Sequence, residues 1–79
     1  MRLNVKFFAV LKDKVGRSEE HIDSSATTPM DVYLELDARY HFHMHIESIR
    51  VAINDEFCDW NGTLKENDVL VFITPVAGG

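Results

Sequence analysis

The residues best suited to chemistry lie at the carboxyl end, where Thr74-Pro75-Val76-Ala77-Gly78-Gly79 follows directly on the apolar run Val69-Leu70-Val71-Phe72-Ile73. Gly78 and Gly79 carry no Cβ, so this end could enter a channel that any other residue would block. Pro75 donates nothing to a sheet ladder and holds φ near about −65°, so pairing should stop there and the chain should leave extended. Six extended residues reach roughly 20 Å, enough to pass from a domain surface into a pocket on another protein. The reacting group would be the terminal carboxyl. With a pKa of about 3.3–3.7 it is an anion at neutral pH and a poor electrophile until activated. Taken alone, two glycines describe an ordinary frayed end equally well.

Other chemistry-bearing residues offer less. His41, His43 and His45 alternate, and on a strand three imidazoles sharing a face could converge on zinc. They follow a helical stretch, however, and solvated histidines near a helix C-terminus are the preferred reading, so no metal site is expected. Cys58 is the single cysteine, which excludes an internal disulfide or a cysteine cluster. With no cation beside it, it reads as inert packing. Trp60 reads as core or rim. Glu19, Glu20, Asp23, Glu66 and Asp68 read as solvated faces and turns, since no fixed spacing supports a paired-carboxylate site.

Seventy-nine residues make one small domain, with 46% hydrophobic residues to build its core. A lone thiol and no secretory signal fit a reducing, cytoplasmic setting. No apolar run approaches the eighteen or so residues of a membrane span. The formal charge of −5 argues against nucleic acid and suggests a partner with a basic docking surface.

The elements that must hold the terminus follow from periodicity. Residues 2–9 alternate as a half-buried strand, with Leu3, Val5 and Phe7 on one face and Arg2, Asn4 and Lys6 on the other. Phe8 then puts an aromatic ring on the polar face. Residues 10–15 suit one or two helical turns closed by Gly16 in the left-handed region. Residues 17–23 suit a strand returning as a hairpin. Thr28-Pro29, with Asp31 in the first turn, starts a helix that Val32, Tyr33, Leu36 and Tyr40 carry to about residue 40. Residues 49–53 form a strand, Asn54-Asp55 a turn and Glu56-Phe57-Cys58 a short return strand. Leu64 is an apolar plug, and Glu66-Asn67-Asp68 turns into the last strand.

One long helix covering a mixed sheet of four to five strands, with the first and last strands adjacent at its centre, is an α+β, β-grasp, ubiquitin-like layout. The expected organisation is a β-grasp domain over residues 1–73 and a flexible tail over 74–79. Phe8, Phe57 and Ile73 fall on the face away from Leu3, Val5, Phe7, Leu70 and Phe72. Three large apolar groups there would make an exposed docking patch.

Phe7-Phe8-Ala9, the basic Lys12, Gly16, Val51-Ala52-Ile53-Asn54, Asp68 and the ending Phe72 to Gly79 together resemble the small sulfur-carrier subunit of molybdopterin synthase. The resemblance runs essentially end to end, and its most specific parts are the aromatic pair with alanine and the Pro-Val-x-Gly-Gly terminus. Three positions depart from the family pattern. Thr74 stands for a first proline, Asn67 for a turn glycine, and Lys12 for a more usual arginine.

The resemblance implies that a ubiquitin-activating-type enzyme uses ATP to adenylate Gly79, and that a sulfur donor protein converts the adenylate to a thiocarboxylate. That group would then donate sulfur to cyclic pyranopterin monophosphate inside a heterotetrameric complex with the large catalytic subunit. Pro75, Val76, Ala77 and Gly78 would line the partner's channel, and Phe8, Lys12, Phe57 and Ile73 would dock the partners. No cofactor would be bound by the chain itself. The alternatives are another β-grasp carrier (for thiazole, cysteine or tRNA thiolation), a modifier conjugated to lysines, or a plain interaction module.

Overall fold

Leu3, Val5 and Phe7 alternate with Arg2, Asn4 and Lys6, and in the computed structural model this stretch is strand β1 (Arg2–Phe7). The structure describes residues 1–74. The expected tail residues Pro75, Val76, Ala77, Gly78 and Gly79 lie outside the described residues. β1 pairs antiparallel with β2 (Glu19–Asp23), placing Leu3 opposite Ile22, and parallel with β5 (Val69–Ile73), placing Phe7 opposite Phe72. The other side of β5 takes β3 (Arg50–Ile53), which continues into β4 (Glu56–Cys58). The resulting order is β2-β1-β5-β3-β4, a five-stranded mixed sheet of the β-grasp kind.

Helix α1 (Ala9–Val15) follows β1 and ends on Gly16 at φ 89°, a conformation that costs glycine nothing. Helix α2 (Pro29–Tyr40) is the long one. Thr28 Oγ1 accepts a hydrogen bond from the Asp31 N–H at 3.2 Å, and Pro29 fills the first turn where no donor is needed. Val32, Tyr33 and Leu36 lie on its buried stripe and pack into the cluster formed by Leu3, Val5, Phe7, Val51, Leu70 and Phe72. Burying each such side chain is worth about 1.5–3 kcal/mol. Tyr33 sits at the middle, with the rings of Phe42, Trp60 and Phe72 each 5.5 Å away. Trp60 is partly buried against this cluster, and Leu64 is buried as expected.

The histidine-rich connection holds an unanticipated core residue. His41 and His43 adopt left-handed φ values of 55° and 54°, and between them Phe42 drops its ring fully into the core. Asp37 Oδ1 accepts the Phe42 N–H at 2.9 Å and fixes that entry. A single turn of 3-10 helix (Ile46–Ser48) then leads to β3. At the β3–β4 hairpin, Asn54 and Asp55 both have positive φ, the paired requirement of a tight hairpin turn whose twist matches its strands.

Two acids expected on solvated faces are buried instead. Glu20 is only 9% exposed, accepting hydrogen bonds from Arg39 Nη1 at 2.6 Å and from the Tyr40 hydroxyl. It ties the edge strand β2 to the last turn of α2. Asp68 is 8% exposed, and it accepts from Asn54 Nδ2 at 2.9 Å and from the Lys65 N–H at 2.7 Å. Asn54 Oδ1 in turn accepts the Val69 N–H at 2.9 Å, so the turn before β5 is stitched to the β3–β4 hairpin. In both cases the carboxylate replaces water with protein donors, which periodicity cannot reveal.

Glu20→Ala is therefore expected to cost about 1–3 kcal/mol in urea unfolding, as for a buried charge-assisted pair of hydrogen bonds, with Glu20→Gln intermediate. A change near zero would return Glu20 to the solvated surface.

Candidate functional site

Because β1 and β5 run parallel with Phe7 opposite Phe72, the two strands end side by side, and the residues that follow, Phe8 and Ile73, lie at the same end of the sheet. Antiparallel β3 begins there too, with Arg50 opposite Ile73. Phe57 on β4 is opposite Ala52, one diagonal step from Arg50. Its ring lies under the Arg50 guanidinium, whose Cζ is 4.2 Å from the ring centroid. Of the three apolar residues picked out by alternation, Phe8 and Ile73 thus lie at the point from which Thr74 continues, and Phe57 lies on the same face one row below, two strands away. Phe8 is 50% exposed and Phe57 60%, while Ile73 is half-buried.

This face of the sheet is the one α2 leaves uncovered. Register pairs run across it as Glu19, Lys6, Val71, Ala52 and Phe57, one from each strand. Val71 and Ala52 form its nearly buried floor. Phe8 owes its exposure to the chain reversal behind it. It keeps extended angles (φ −131°, ψ 154°), and Ala9 turns sharply at φ 51° into α1. Its carbonyl accepts the Leu11 and Lys12 N–H groups at 3.2 and 3.4 Å, which pins the aromatic to the helix start.

Lys12 is exposed in α1, one turn beyond Phe8. With Lys14 it sits in the last turn, where cations complement the carbonyl end of the helix. Among the described residues the ion pairs are Met1–Asp23 and Arg39–Glu20. Lys6, Lys12 and Arg50 therefore have no described carboxylate within 4.0 Å. Alternation missed Arg50, although its parity with Ala52 and Phe57 on the β3–β4 hairpin could have found it.

The remaining candidates are dispersed. His41 and His43 stack with ring centroids 6.0 Å apart, and His41, His43 and His45 are all exposed. Among the described residues, no three His, Cys, Asp or Glu side chains are grouped to hold a metal ion. Cys58 is half-buried, with Sγ 3.8 Å from the Val51 carbonyl. Burial pushes its thiol pKa up and Asp59 adds to the effect, against a smaller opposing hydrogen bond at Ile53. Such a thiol is protonated at neutral pH, the opposite of an activated sulfur nucleophile.

The ThiS family model matches residues 5–79. Among solved structures the fold is similar to that of SAMP1 from Haloferax volcanii, at 21% identity and TM-score 0.84, with all of both chains covered. It is also similar to small archaeal modifier protein 1 from Methanosarcina acetivorans, at 26% identity and TM-score 0.80, covering 99% of this chain and 96% of that one. A third similarity is to the protein–protein complex of subunits 1 and 2 of molybdopterin-converting factor from Helicobacter pylori, at 25% identity and TM-score 0.69 over the full length of both chains.

Two outcomes are expected from this geometry. Phe8→Ala and Phe57→Ala should each lower unfolding free energy by less than about 1 kcal/mol, whereas Phe72→Ala should cost about 3–5 kcal/mol. Equal losses would mean that the exposed rings support the fold. Cys58 should react with iodoacetamide more slowly than free cysteine at mildly alkaline pH, and its rate should keep rising above the ordinary thiol range. A rate matching free cysteine would contradict the burial effect.

Proposed function

This chain belongs to the ThiS family, and on that basis we propose that it is the sulfur-carrier subunit of a molybdopterin synthase. Its fold is that of the ThiS-type ubiquitin-like sulfur carriers. The reacting group in this proposal is the carboxyl of Gly79. A carboxylate oxygen attacks the α-phosphate of ATP held by an adenylating enzyme, and pyrophosphate leaves. Sulfide-level sulfur delivered by a donor protein then attacks the acyl carbon and displaces AMP, leaving a thiocarboxylate. Docked on the large catalytic subunit, the thiocarboxylate passes its sulfur to cyclic pyranopterin monophosphate on the way to the dithiolene.

The observation that carries this proposal is the family match running through residue 79 on a body whose last strand is central. β5 is held by β1 on one side and β3 on the other, so whatever follows Thr74 starts from a fixed base. Ordering a six-residue arm in a partner's channel costs roughly 6–12 kcal/mol of backbone entropy. Main-chain hydrogen bonds from Val76 onward and contacts to the Pro75 and Val76 side chains would offset that cost. Phe8 and Ile73 lie at that end, with Phe57 one row below across β3, and together they would seat the partner while the arm is threaded. ATP and the catalytic groups belong to the partners in this scheme, and the chain itself needs no cofactor. The molybdopterin assignment draws on the Helicobacter pylori likeness and on the Phe7-Phe8-Ala9 and Pro-Val-x-Gly-Gly signatures. The likeness to the Methanosarcina acetivorans modifier favours a second reading, in which the activated carboxyl is transferred to lysines of other proteins.

Incubation with ATP, the adenylating enzyme of the same organism and a sulfur donor should raise the intact mass by the difference between one sulfur and one oxygen. A chain lacking Gly79 should show no change, and sulfur loading of that chain would defeat the carrier assignment. Rescue of a strain deficient in molybdenum cofactor would then select the pterin pathway, whereas lysine-linked adducts without rescue would select the modifier.

A further inference from the structure

We propose that the open face of the sheet docks an acidic partner surface, an apolar pocket rimmed by carboxylates, with Arg50 as its central ionic anchor. The proposal rests on the carrier reading and names the chemistry of the partner wall it requires. The chain as a whole is acidic, at −5, so its net charge points to a basic partner. The placement of the charges points the other way.

Residues facing away from α2 are fixed by register. On β1 they are Arg2, Asn4 and Lys6, and on β5 they are Val69, Val71 and Ile73. On β3 and β4 they are Arg50, Ala52 and Phe57. Across these four adjacent strands the open face carries three cations and no carboxylate. Glu56 is opposite Ile53, so its parity is that of the core face. The acids that share the open face, Glu19 and Asp23, belong to β2, the strand farthest from Phe57 and Arg50; they stand directly opposite Lys6 and Arg2, so Arg50 is the open-face cation with no acid across from it. Beyond the end of β1, α1 carries Lys12 and Lys14 together with Asp13, while its Leu11 packs into the core cluster.

Arg50 is the cation best prepared to bind. The Arg50 guanidinium sits over the exposed Phe57 ring, with Cζ 4.2 Å from the centroid, and it has no carboxylate partner among the described residues. A planar fork held in this way loses little side-chain entropy when it grips a carboxylate in two-point fashion. Arg39, by contrast, is already paired with Glu20. Lys6 lies two strands away and one row down, at a Cα separation of roughly 12 Å from the strand and residue spacings. The two cations therefore flank the apolar strip of Ile73 and Val71. A partner fitting this strip presents an apolar pocket for Phe57 and Ile73, with carboxylates placed to meet Arg50 and Lys6. A basic partner wall would instead leave both cations facing like charge.

The test uses the full chain with the adenylating enzyme and the large synthase subunit encoded in the same genome, and binding is measured by titration calorimetry. Wild-type affinity should fall between about 50 mM and about 500 mM NaCl as screening shortens the reach of surface charge. Arg50→Glu should weaken binding by at least about tenfold at low salt, and much less at high salt. Lys6→Glu, a second exposed-face variant, should act in the same direction. Adding Leu34→Lys and Ala38→Lys on the solvent side of α2 restores the formal charge of Arg50→Glu to −5 and should not restore its affinity. Recovery of binding in that triple variant, or wild-type binding by Arg50→Glu, overturns the acidic-wall assignment while leaving the carrier reading intact. Failure of the wild-type chain to bind either protein overturns both.

Discussion

The parallel pairing of β1 with β5 is the constraint from which the other features follow. Parallel neighbours cannot be joined by a tight turn, so the chain between them must cross over, and the crossover carries α2 onto one face. Leu3, Val5 and Phe7 then meet Leu70 and Phe72 under Val32, Tyr33 and Leu36. The same pairing fixes where both strands end. Since they run in one direction, the residue after Phe7 and the residue after Phe72 emerge together. The start of α1 and the continuation of the chain past Ile73 therefore share one end of the molecule. An antiparallel pair would have sent Phe8 and Thr74 to opposite ends.

Polar groups within the body are assigned to holding this arrangement. Glu20 joins β2 to α2 through Arg39 and Tyr40, and Asp68 with Asn54 joins the turn before β5 to the β3–β4 hairpin. Asp37 holds the entry of Phe42. Each of these carboxylates or amides faces protein donors or acceptors of its own fold. Among the described residues none is left in a cleft beside a nucleophile, and the one thiol is biased toward its protonated form. A body organised in this way suits the proposed role of a handle for the Gly79 carboxyl.

Much of this was legible in the sequence because the signals were local. Alternation gave β1 and the exposed parity of Phe8, Phe57 and Ile73. Thr28-Pro29 marked the start of α2 by unused backbone donors, and Gly16 and Asn54-Asp55 marked backbone angles that most residues avoid. What stayed hidden depended on partners distant in sequence. Glu20 resembles its exposed neighbour Glu19, and only the approach of Arg39 and Tyr40 from α2 separates them. Phe42 is flanked by solvated histidines, so no periodic pattern marks it. Its burial depends on two successive excursions to positive φ that carry no glycine signal. Arg50 needed the β3–β4 register before its stacking on Phe57 could be seen.

Net charge was the least informative property, for a reason rooted in screening. At physiological ionic strength the Debye length is about 8 Å, so exposed charges farther apart than this act almost independently. The principal extents of the molecule are 35 × 22 × 18 Å, so a partner touching one face is largely screened from the charges on the other. The acids of α2, Asp31, Glu35 and Asp37, lie on the far layer, behind the sheet. They add to the solubility that the −5 total provides, and they contribute little where Arg50 and Lys6 meet a second surface. In the proposed acidic-wall contact, sign asymmetry between faces, and not the sum over residues, is what selects the partner.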